Sequence, residues 1–354
     1  MIKLLVANET EIQDITYLVT QIDWSGSYKS AARSLEFEIV AYASDDAIPT
    51  ANIELGNAVS FMDGDTVLFE GYIVNRRKVT NGNSISVRCY DRGLYLKGNT
   101  AIYQFKNTTP ESAARKVCED FGIPVGEIAE TGISLTHNFI GKRLYDIIIG
   151  MYTMASEQSE DKYIVVFKGG KLCVLKKELG EDTLVIKGGS NLMNLSVSES
   201  IENLTNQVVI YEKDYKTVGT HNDENSIRLY GLFQSMIRNG DDAEKRAKHM
   251  LRDDAEPTQK ITVNTLGDTR SVTGNMVMLE EPYTGLWGLF YIDEDNHTWK
   301  KGQYYNKLVL NLKNIMDEKE VAETGKDDVK TNIGTTGKTA PAHIDGVWQY
   351  LYSD

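Results

Sequence analysis

Apolar and polar positions in the first hundred residues alternate with the two-residue period of half-buried strands. Across residues 33–41, Leu35, Phe37 and Ile39 fall on one face and Ser34, Glu36 and Glu38 on the other. That pattern predicts a strand with its three apolar side chains on the buried face. Residues 67–74 follow the turn-forming Asp63-Gly64-Asp65, and Ile85, Val87 and Cys89 alternate beyond Asn81-Gly82-Asn83. The two runs read as a hairpin closed by an Asn-Gly turn. Gly71 stands mid-strand with no side chain to pack, which predicts a bulge or bend of the kind that turns a barrel corner.

The period then lengthens. Thr108-Thr109-Pro110-Glu111 supplies a threonine cap, a proline suited to the first turn and an acid near the positive helix end. Ala114, Val117, Cys118 and Phe121 follow at helical spacing, and Gly122 supplies the left-handed stop. Leu144, Ile148, Met151 and Ala155 mark a second helix, after which residues 163–167 and 172–175 flank Lys168-Gly169-Gly170-Lys171 as a hairpin. Residues 101–190 therefore read as a small α+β domain between strand-rich segments at 1–100 and 191–316. The later segment carries strands at 206–211, 260–264 and 275–279 and a helix at 242–252. It ends in a glycine-marked strand at 286–293, a polar loop, and a return strand at 307–312. That last pair echoes the hairpin of residues 67–90 and raises an internal duplication as one reading.

Beyond residue 316 large apolar side chains nearly vanish, so 317–354 reads as a flexible arm. Its tip, Val347, Trp348, Gln349, Tyr350, Leu351 and Tyr352, restores aromatic surface and reads as a docking peptide, for a partner or for the chain's own body.

The 354 residues exceed what one core usually holds, so several domains are expected. No run of about 20 apolar residues occurs, and the short apolar start gives way at once to Asn8-Glu9-Thr10-Glu11, which predicts neither membrane anchor nor signal peptide. A formal charge of −13 argues against stable nucleic-acid binding. Three separated cysteines, Cys89, Cys118 and Cys173, read as buried free thiols of a reducing compartment.

Enzyme chemistry finds little support. Gly337-Lys338-Thr339 lacks the spacing and flanking elements of a phosphate loop. Asp293, Asp295 and His297 alternate in the polar segment and read either as a solvated loop or as ligands for a hard cation, without the glycine and terminal glutamate of a calcium loop. Neither Asp253-Asp254 nor Glu280-Glu281 makes a convincing carboxylate pair, and no GxSxG elbow nominates a nucleophile. No catalytic residue, cofactor or metal is assigned.

Several phrases occur in order: Gly64-Asp65-Thr66-Val67-Leu68-Phe69-Glu70-Gly71-Tyr72-Ile73, Cys89-Tyr90-Asp91-Arg92-Gly93-Leu94-Tyr95-Leu96-Lys97 and Cys118-Glu119-Asp120-Phe121-Gly122-Ile123-Pro124. They are followed by Leu144-Tyr145-Asp146-Ile147-Ile148, Leu204-Thr205-Asn206-Gln207-Val208, Gly231-Leu232-Phe233-Gln234 and Tyr291-Ile292-Asp293-Glu294-Asp295-Asn296-His297-Thr298-Trp299. Over residues 1–315 the chain resembles the baseplate hub proteins of contractile phage tails, of the PBSX-prophage XkdQ-like type, and more distantly the late-control-gene-D hubs.

The resemblance implies a β-rich α+β fold in which two tail-tube-like β-barrels flank the α+β domain. It implies a homotrimer whose six barrels match the sixfold tail tube and whose three chains match the threefold central spike. The tail tube protein, the spike protein and other baseplate proteins would be its partners. It would be made in the bacterial cytoplasm and built into the baseplate of a phage or an R-type, phage-tail-like bacteriocin, and an acidic lumen would let DNA pass without sticking. Two other classes stay open. One is a tail-associated cell-wall (peptidoglycan) hydrolase, for which no Cys-His or paired-glutamate module is visible. The other is a carbohydrate-binding β-protein, for which the tyrosines are dispersed.

Overall fold

The computed structural model describes residues 1–41, 51–79, 83–178, 180, 183–240 and 243–319. Its contacts divide the chain into two units, Met1–Asn194 with Val263–Asp354, and Leu195–Thr262.

In the first unit, strand Ser34–Val40 lies between Val19–Ser27 and Ser84–Tyr90, antiparallel to both. The register sets Trp24, Leu35 and Cys89 in one cross-strand row and Ile22, Phe37 and Val87 in the next. Alternate residues share a face, so these rows build one buried surface; Leu35, Phe37 and Ile39 are all buried. Glu36 and Arg88 pair on the opposite face at 2.8 Å.

Strand Thr66–Lys78 pairs with Ser84–Tyr90, giving the hairpin that the alternation implies, and with Ala58–Asp63 on its other side. Residues 80–82, which hold the expected Asn-Gly turn, lie outside the described residues. At Gly71 the constraint is steric: a Cβ would stand 2.3 Å from the Tyr90 carbonyl oxygen and 2.5 Å from the Phe69 ring. Close approach of the neighbouring strand is what requires glycine there, and a register irregularity follows between Ile73 and Asn75.

The far end of the chain joins the same sheet. Leu286–Lys300 runs antiparallel to Val19–Ser27 from Glu294↔Ser27 to Lys300↔Gln21, and pairs with Gln303–Asn311 on its other side. The sequence reading puts a polar loop between residues 293 and 307, whereas the strand continues to Lys300. The turn is only Lys301-Gly302, with φ of 52° and 75°, the left-handed pair that matches strand twist in a tight hairpin. The loop reading fails because Asp293, Asp295 and His297 point inward, against the usual sorting of polar residues.

Residues 100–176 supply a second core. Thr109 caps helix Pro110–Asp120, accepting from the Ser112 N–H at 3.4 Å. Helix Leu144–Ser159 is buried nearly all round, as an apolar surface on every side requires. Two small sheets enclose it, Thr100–Thr108 with Leu135–Arg143 and Val125–Ile128 with Lys171–Lys176 and Tyr163–Lys168. Met316 belongs to this core, and residues 317–319, grouped by composition with the arm, are tied to it: the Lys319 N–H donates to Thr153 Oγ1 at 3.2 Å and Lys162 pairs with Glu318 at 2.5 Å.

The stretch 191–316, read from sequence as one module, is divided, because part of it supplies a core of its own. In the second unit, Gln207–Tyr211 pairs with Thr217–Asn222 and Gln234–Arg238. Helix Ala243–Asp254 closes one face over Val208, Ile210 and Ile237.

Phe37→Asp puts an unpaired carboxylate into the sheet core; the expected outcome is loss of the cooperative urea transition and of native circular dichroism. A soluble variant with a wild-type midpoint would place Phe37 on the solvent side.

Candidate functional site

The densest polar constellation in the described residues lies where the early strands meet the late ones. On Leu286–Lys300, Asp295, His297 and Trp299 recur every second residue and so share a face. Opposite them in register stand Gly26, Trp24 and Ile22. Gly26 leaves the opening through which Arg33 reaches Asp295, since a Cβ there would lie 2.3 Å from the Arg33 Nη1. Arg33 grips the carboxylate with both terminal nitrogens, Nη1 at 3.0 Å from Oδ1 and Nη2 on Oδ2. Thr273 adds its N–H at 2.6 Å and its hydroxyl at 2.5 Å to Oδ1.

The side chains of Asp295 and His297 are 0% exposed. Burial alone would raise the Asp295 pKa, but the Arg33 charge and the donors from His297 and Arg33 outweigh it and hold the carboxyl well below its usual range. His297 Nε2 lies between the Ser271 carbonyl oxygen at 3.1 Å and Asp295 Oδ2 at 3.3 Å, both acceptors for its N–H, and Nδ1 faces the Tyr304 hydroxyl at 2.7 Å. Aromatic rings seal the assembly: the Arg33 guanidinium lies 4.1 Å over Trp24, and Trp299 stacks on Tyr304 at 4.1 Å. A Cβ at Gly267 would meet the Tyr304 ring at 2.1 Å. A carboxylate saturated by a guanidinium and three further donors offers no place to a cation, which removes the hard-cation reading of Asp293, Asp295 and His297. Among the described residues no other group of His, Cys, Asp and Glu is arranged to hold a metal.

Three further buried ionisable groups, Asp91, Lys177 and Asp293, flank this network. Asp91 accepts from the Arg33 N–H at 3.1 Å and the Gly93 N–H at 2.8 Å. Burial pushes its carboxyl up to about 7, with those donors and the Arg33 charge pulling the other way. Lys177 sits 3.9 Å from Asp293, an ion pair too long for a hydrogen bond, and donates to the Ile315 carbonyl at 2.7 Å. Burial lowers the Lys177 pKa and raises that of Asp293, each against the partner's charge. The pair fastens the last strands to the hairpin Tyr163–Lys176.

Beside Arg33 and Trp24 opens a cavity of ≈ 390 Å³, walled by residues 67–70, strand Tyr163–Lys168, its Gly169-Gly170 turn and the loop at 269–275. The thiols of Cys89, Cys118 and Cys173 are free and buried; burial pushes Cys118 up to about 12, leaving it unreactive.

A family model described as YQBQ-like matches residues 22–311, from the early strand of the junction to the end of the last one. The chain belongs to the YQBQ-like family. It is similar, at 25% identity over 90% of its own length and 99% of the relative's, to the phage-like element PBSX protein XkdQ of Bacillus subtilis. Among solved structures it resembles the 43 kDa tail protein of prophage MuSo2 from Shewanella oneidensis, with a TM-score of 0.69 at 14% identity over 87% of this chain and 98% of that one. It also resembles an E. coli type VI secretion component described as similar to the T4 tail proteins gp27 and gp5, with a TM-score of 0.51 at 10% identity over 87% and 76%. The fold of this YQBQ-like chain is therefore that of prophage tail proteins. Among its described residues no helix is long and apolar enough to cross a membrane.

Leu35, Phe37 and Ile39 lie on the face that carries the junction, and Gly71 packs against the Tyr90 carbonyl and the Phe69 ring. Val347, Trp348, Tyr350, Leu351 and Tyr352 lie outside the described residues. Sequence reasoning passes over Arg33, Trp24, Asp91, Thr273 and Tyr304, because nothing in spacing joins Arg33 to a carboxylate 262 residues later. The one available signal is the inward period of Asp295, His297 and Trp299 on an otherwise apolar strand.

Asp295→Asn leaves the Arg33 guanidinium buried without its counter-charge and should cost about 3–5 kcal/mol in urea unfolding; a loss under about 1 kcal/mol would show the pair to be solvated. Asp91 binds its proton more tightly folded than unfolded, so it should lower stability as pH rises from its ordinary 3.8 towards 7 and no further beyond. Thermal midpoints of Asp91→Asn should lack that decline, and parallel curves for variant and wild type would contradict it.

Proposed function

We propose that this protein is the structural hub of a contractile-tail baseplate, three copies forming a ring that adapts the sixfold tail tube to a threefold central spike. The supporting observation is the strand pairing of Val19–Ser27 with Leu286–Lys300. It sets two strand-rich segments from opposite ends of the chain side by side in one sheet, with the α+β core between them in sequence. The early strands curl through Ser34–Val40, Ser84–Tyr90, Thr66–Lys78, Ala58–Asp63 and Ile2–Ala7; the late ones branch through Met276–Glu281 to Leu184–Lys187. We read each set as one tube-like barrel, with Leu35, Phe37 and Ile39 in the core of the first and Gly71 at its bend. Two such modules per chain and three chains per ring give six, the count a sixfold tube needs. Full-length similarity to proteins named as tail proteins supports the same reading.

The role is one of association alone. Open strand edges are hazards in a solitary molecule and become joints when neighbours cover them. Thirteen excess negative charges per copy suit a conduit past which a polyanion slides. The segment beyond Lys319 carries a docking element, Val347, Trp348, Tyr350, Leu351 and Tyr352, for an adjoining surface of the baseplate. Tail tube protein, spike protein and other baseplate proteins are the partners.

Sedimentation of the purified chain should give monomer or trimer, and co-expression with the cognate spike should drive it to trimer; stable dimers under both conditions would overturn the hub reading. Deleting residues 320–354 should leave the urea transition of the body unchanged and reduce the yield of assembled particles, and undiminished yield would remove the docking role.

A further inference from the structure

The loop between strands Met276–Glu281 and Leu286–Lys300 is braced while it carries aromatic side chains outward. Glu281 accepts from the Tyr283 N–H at 3.1 Å and from the Thr284 N–H and hydroxyl at 2.6 Å each. These donors, the Thr284 hydroxyl foremost, lower the pKa of its carboxyl. The residues so fixed, Pro282-Tyr283-Thr284-Gly285, are uncharged, and Tyr283 among them is 96% exposed. Trp287, across from Glu280 in the hairpin, is 67% exposed. Tyrosine and tryptophan are the side chains that most often anchor protein interfaces, and a loop ordered beforehand loses little freedom on binding.

The cavity beside Arg33 is suited to such an anchor. In its lining Trp24, Phe69 and Ile164 are buried, while Lys168, Gly169 and Asn275 are exposed, so it opens to solvent over an apolar floor. Its ≈ 390 Å³ falls within the roughly 300–1,000 Å³ of ligand pockets. The charged groups around it balance, Arg33, Lys168 and Lys176 against Glu70, Asp91 and Glu178, so an ion gains little there and a neutral side chain more. The turn at its rim is basic, Lys168-Gly169-Gly170-Lys171, and neither of these lysines forms an ion pair among the described residues.

We propose that Tyr283 of one copy enters this cavity on a second copy of the chain, with Glu281 set against Lys168 and Lys171 of the rim and Trp287 packed beside them. The inference rests on the ring of three proposed above and names a contact that holds it together. A chain cannot fill its own cavity in this way. Strand Met276–Glu281 begins at the cavity wall formed by Gly274 and Asn275, and none of residues 276–287 lines the cavity. Its six residues extend about 20 Å, held between Leu184–Lys187 and Leu286–Lys300. Knob and hole therefore stand at opposite ends of one strand. A contact between unlike surfaces of identical chains repeats from copy to copy and closes into a ring where the rotation permits. The charges agree with this pairing, a neutral ring meeting a balanced cavity and an acid meeting two lysines.

Sedimentation of the full chain mixed with its cognate spike tests it. Tyr283 and Trp287 are exposed, so the double variant Tyr283→Ala, Trp287→Ala should keep the thermal midpoint of the isolated chain and raise the concentration at which half the trimer forms at least tenfold. Val166→Trp, which fills the cavity from its wall, should weaken the trimer in the same way with the hairpin intact. Tyr283→Cys combined with Lys168→Cys should give covalent trimers on a non-reducing gel after oxidation, and neither single variant should. A double alanine variant that forms trimers at the wild-type concentration, or an assembled double-cysteine trimer that yields no covalent product, overturns the inference and leaves the hub reading standing. A wild-type chain that forms no trimer with the spike removes the hub reading and this contact with it.

Discussion

The bidentate contact of Arg33 with Asp295 is the constraint on which the main unit depends. It joins the chain near its start to the chain near its end, where, among the described residues, early and late strands pair. Loop closure over such a separation is entropically unfavourable, and the apolar rows on either side do not by themselves choose which residue faces which. A slip of one residue in a sheet turns every side chain to the opposite face. Slipped by one, Leu286–Lys300 would turn Asp295 and His297 away from Arg33 and Ser271, leaving a guanidinium and an imidazole without partners in the core. The buried polar groups thus penalise every register but one.

Glycine is placed to permit this. Gly26 stands directly across from Asp295 and vacates the volume that the guanidinium fills, and Gly267 does the same beneath the Tyr304 ring. Gly71 keeps the Thr66–Lys78 strand close to Tyr90, where the pairing with Ser84–Tyr90 begins at Tyr72. The glycine at 288 works differently: it has open space around it and a φ of 140°, so it serves backbone conformation and not close packing. The two glycine-marked hairpins that suggest an internal duplication therefore use the residue for unlike reasons.

What was legible in the sequence follows from locality. The Ser34–Val40 strand, the Thr109-capped helix and the Tyr163–Lys176 hairpin each announce themselves through neighbours in sequence, and each stands where the pattern puts it. Val19–Ser27 does not announce itself, because its apolar pair, Ile22 and Trp24, is too short to establish a period among threonine, serine and glycine. The late strand reads short for the opposite reason: its inner face is polar, and a rule that assigns polar residues to solvent misreads a strand whose polar groups satisfy one another. The candidate site was nearly illegible, since its partners lie at opposite ends of the chain and the alternating Asp295, His297 and Trp299 look the same in a solvated loop.

A network this well satisfied raises the question of why it is not simply apolar, since replacing a buried ion pair with packed hydrophobic residues is often neutral or stabilising. The answer lies in the proposed ring. A hub must offer strand edges to its neighbours, and a sheet meant to be extended cannot rely on apolar burial alone, because apolar faces tolerate many partners and several registers. A charged pair reached through a glycine-sized opening accepts one geometry, and a wrong strand meeting Arg33 would bury its charge uncompensated. In the proposed ring, such a pair at the junction would favour the strand partner within the chain over a strand of another subunit.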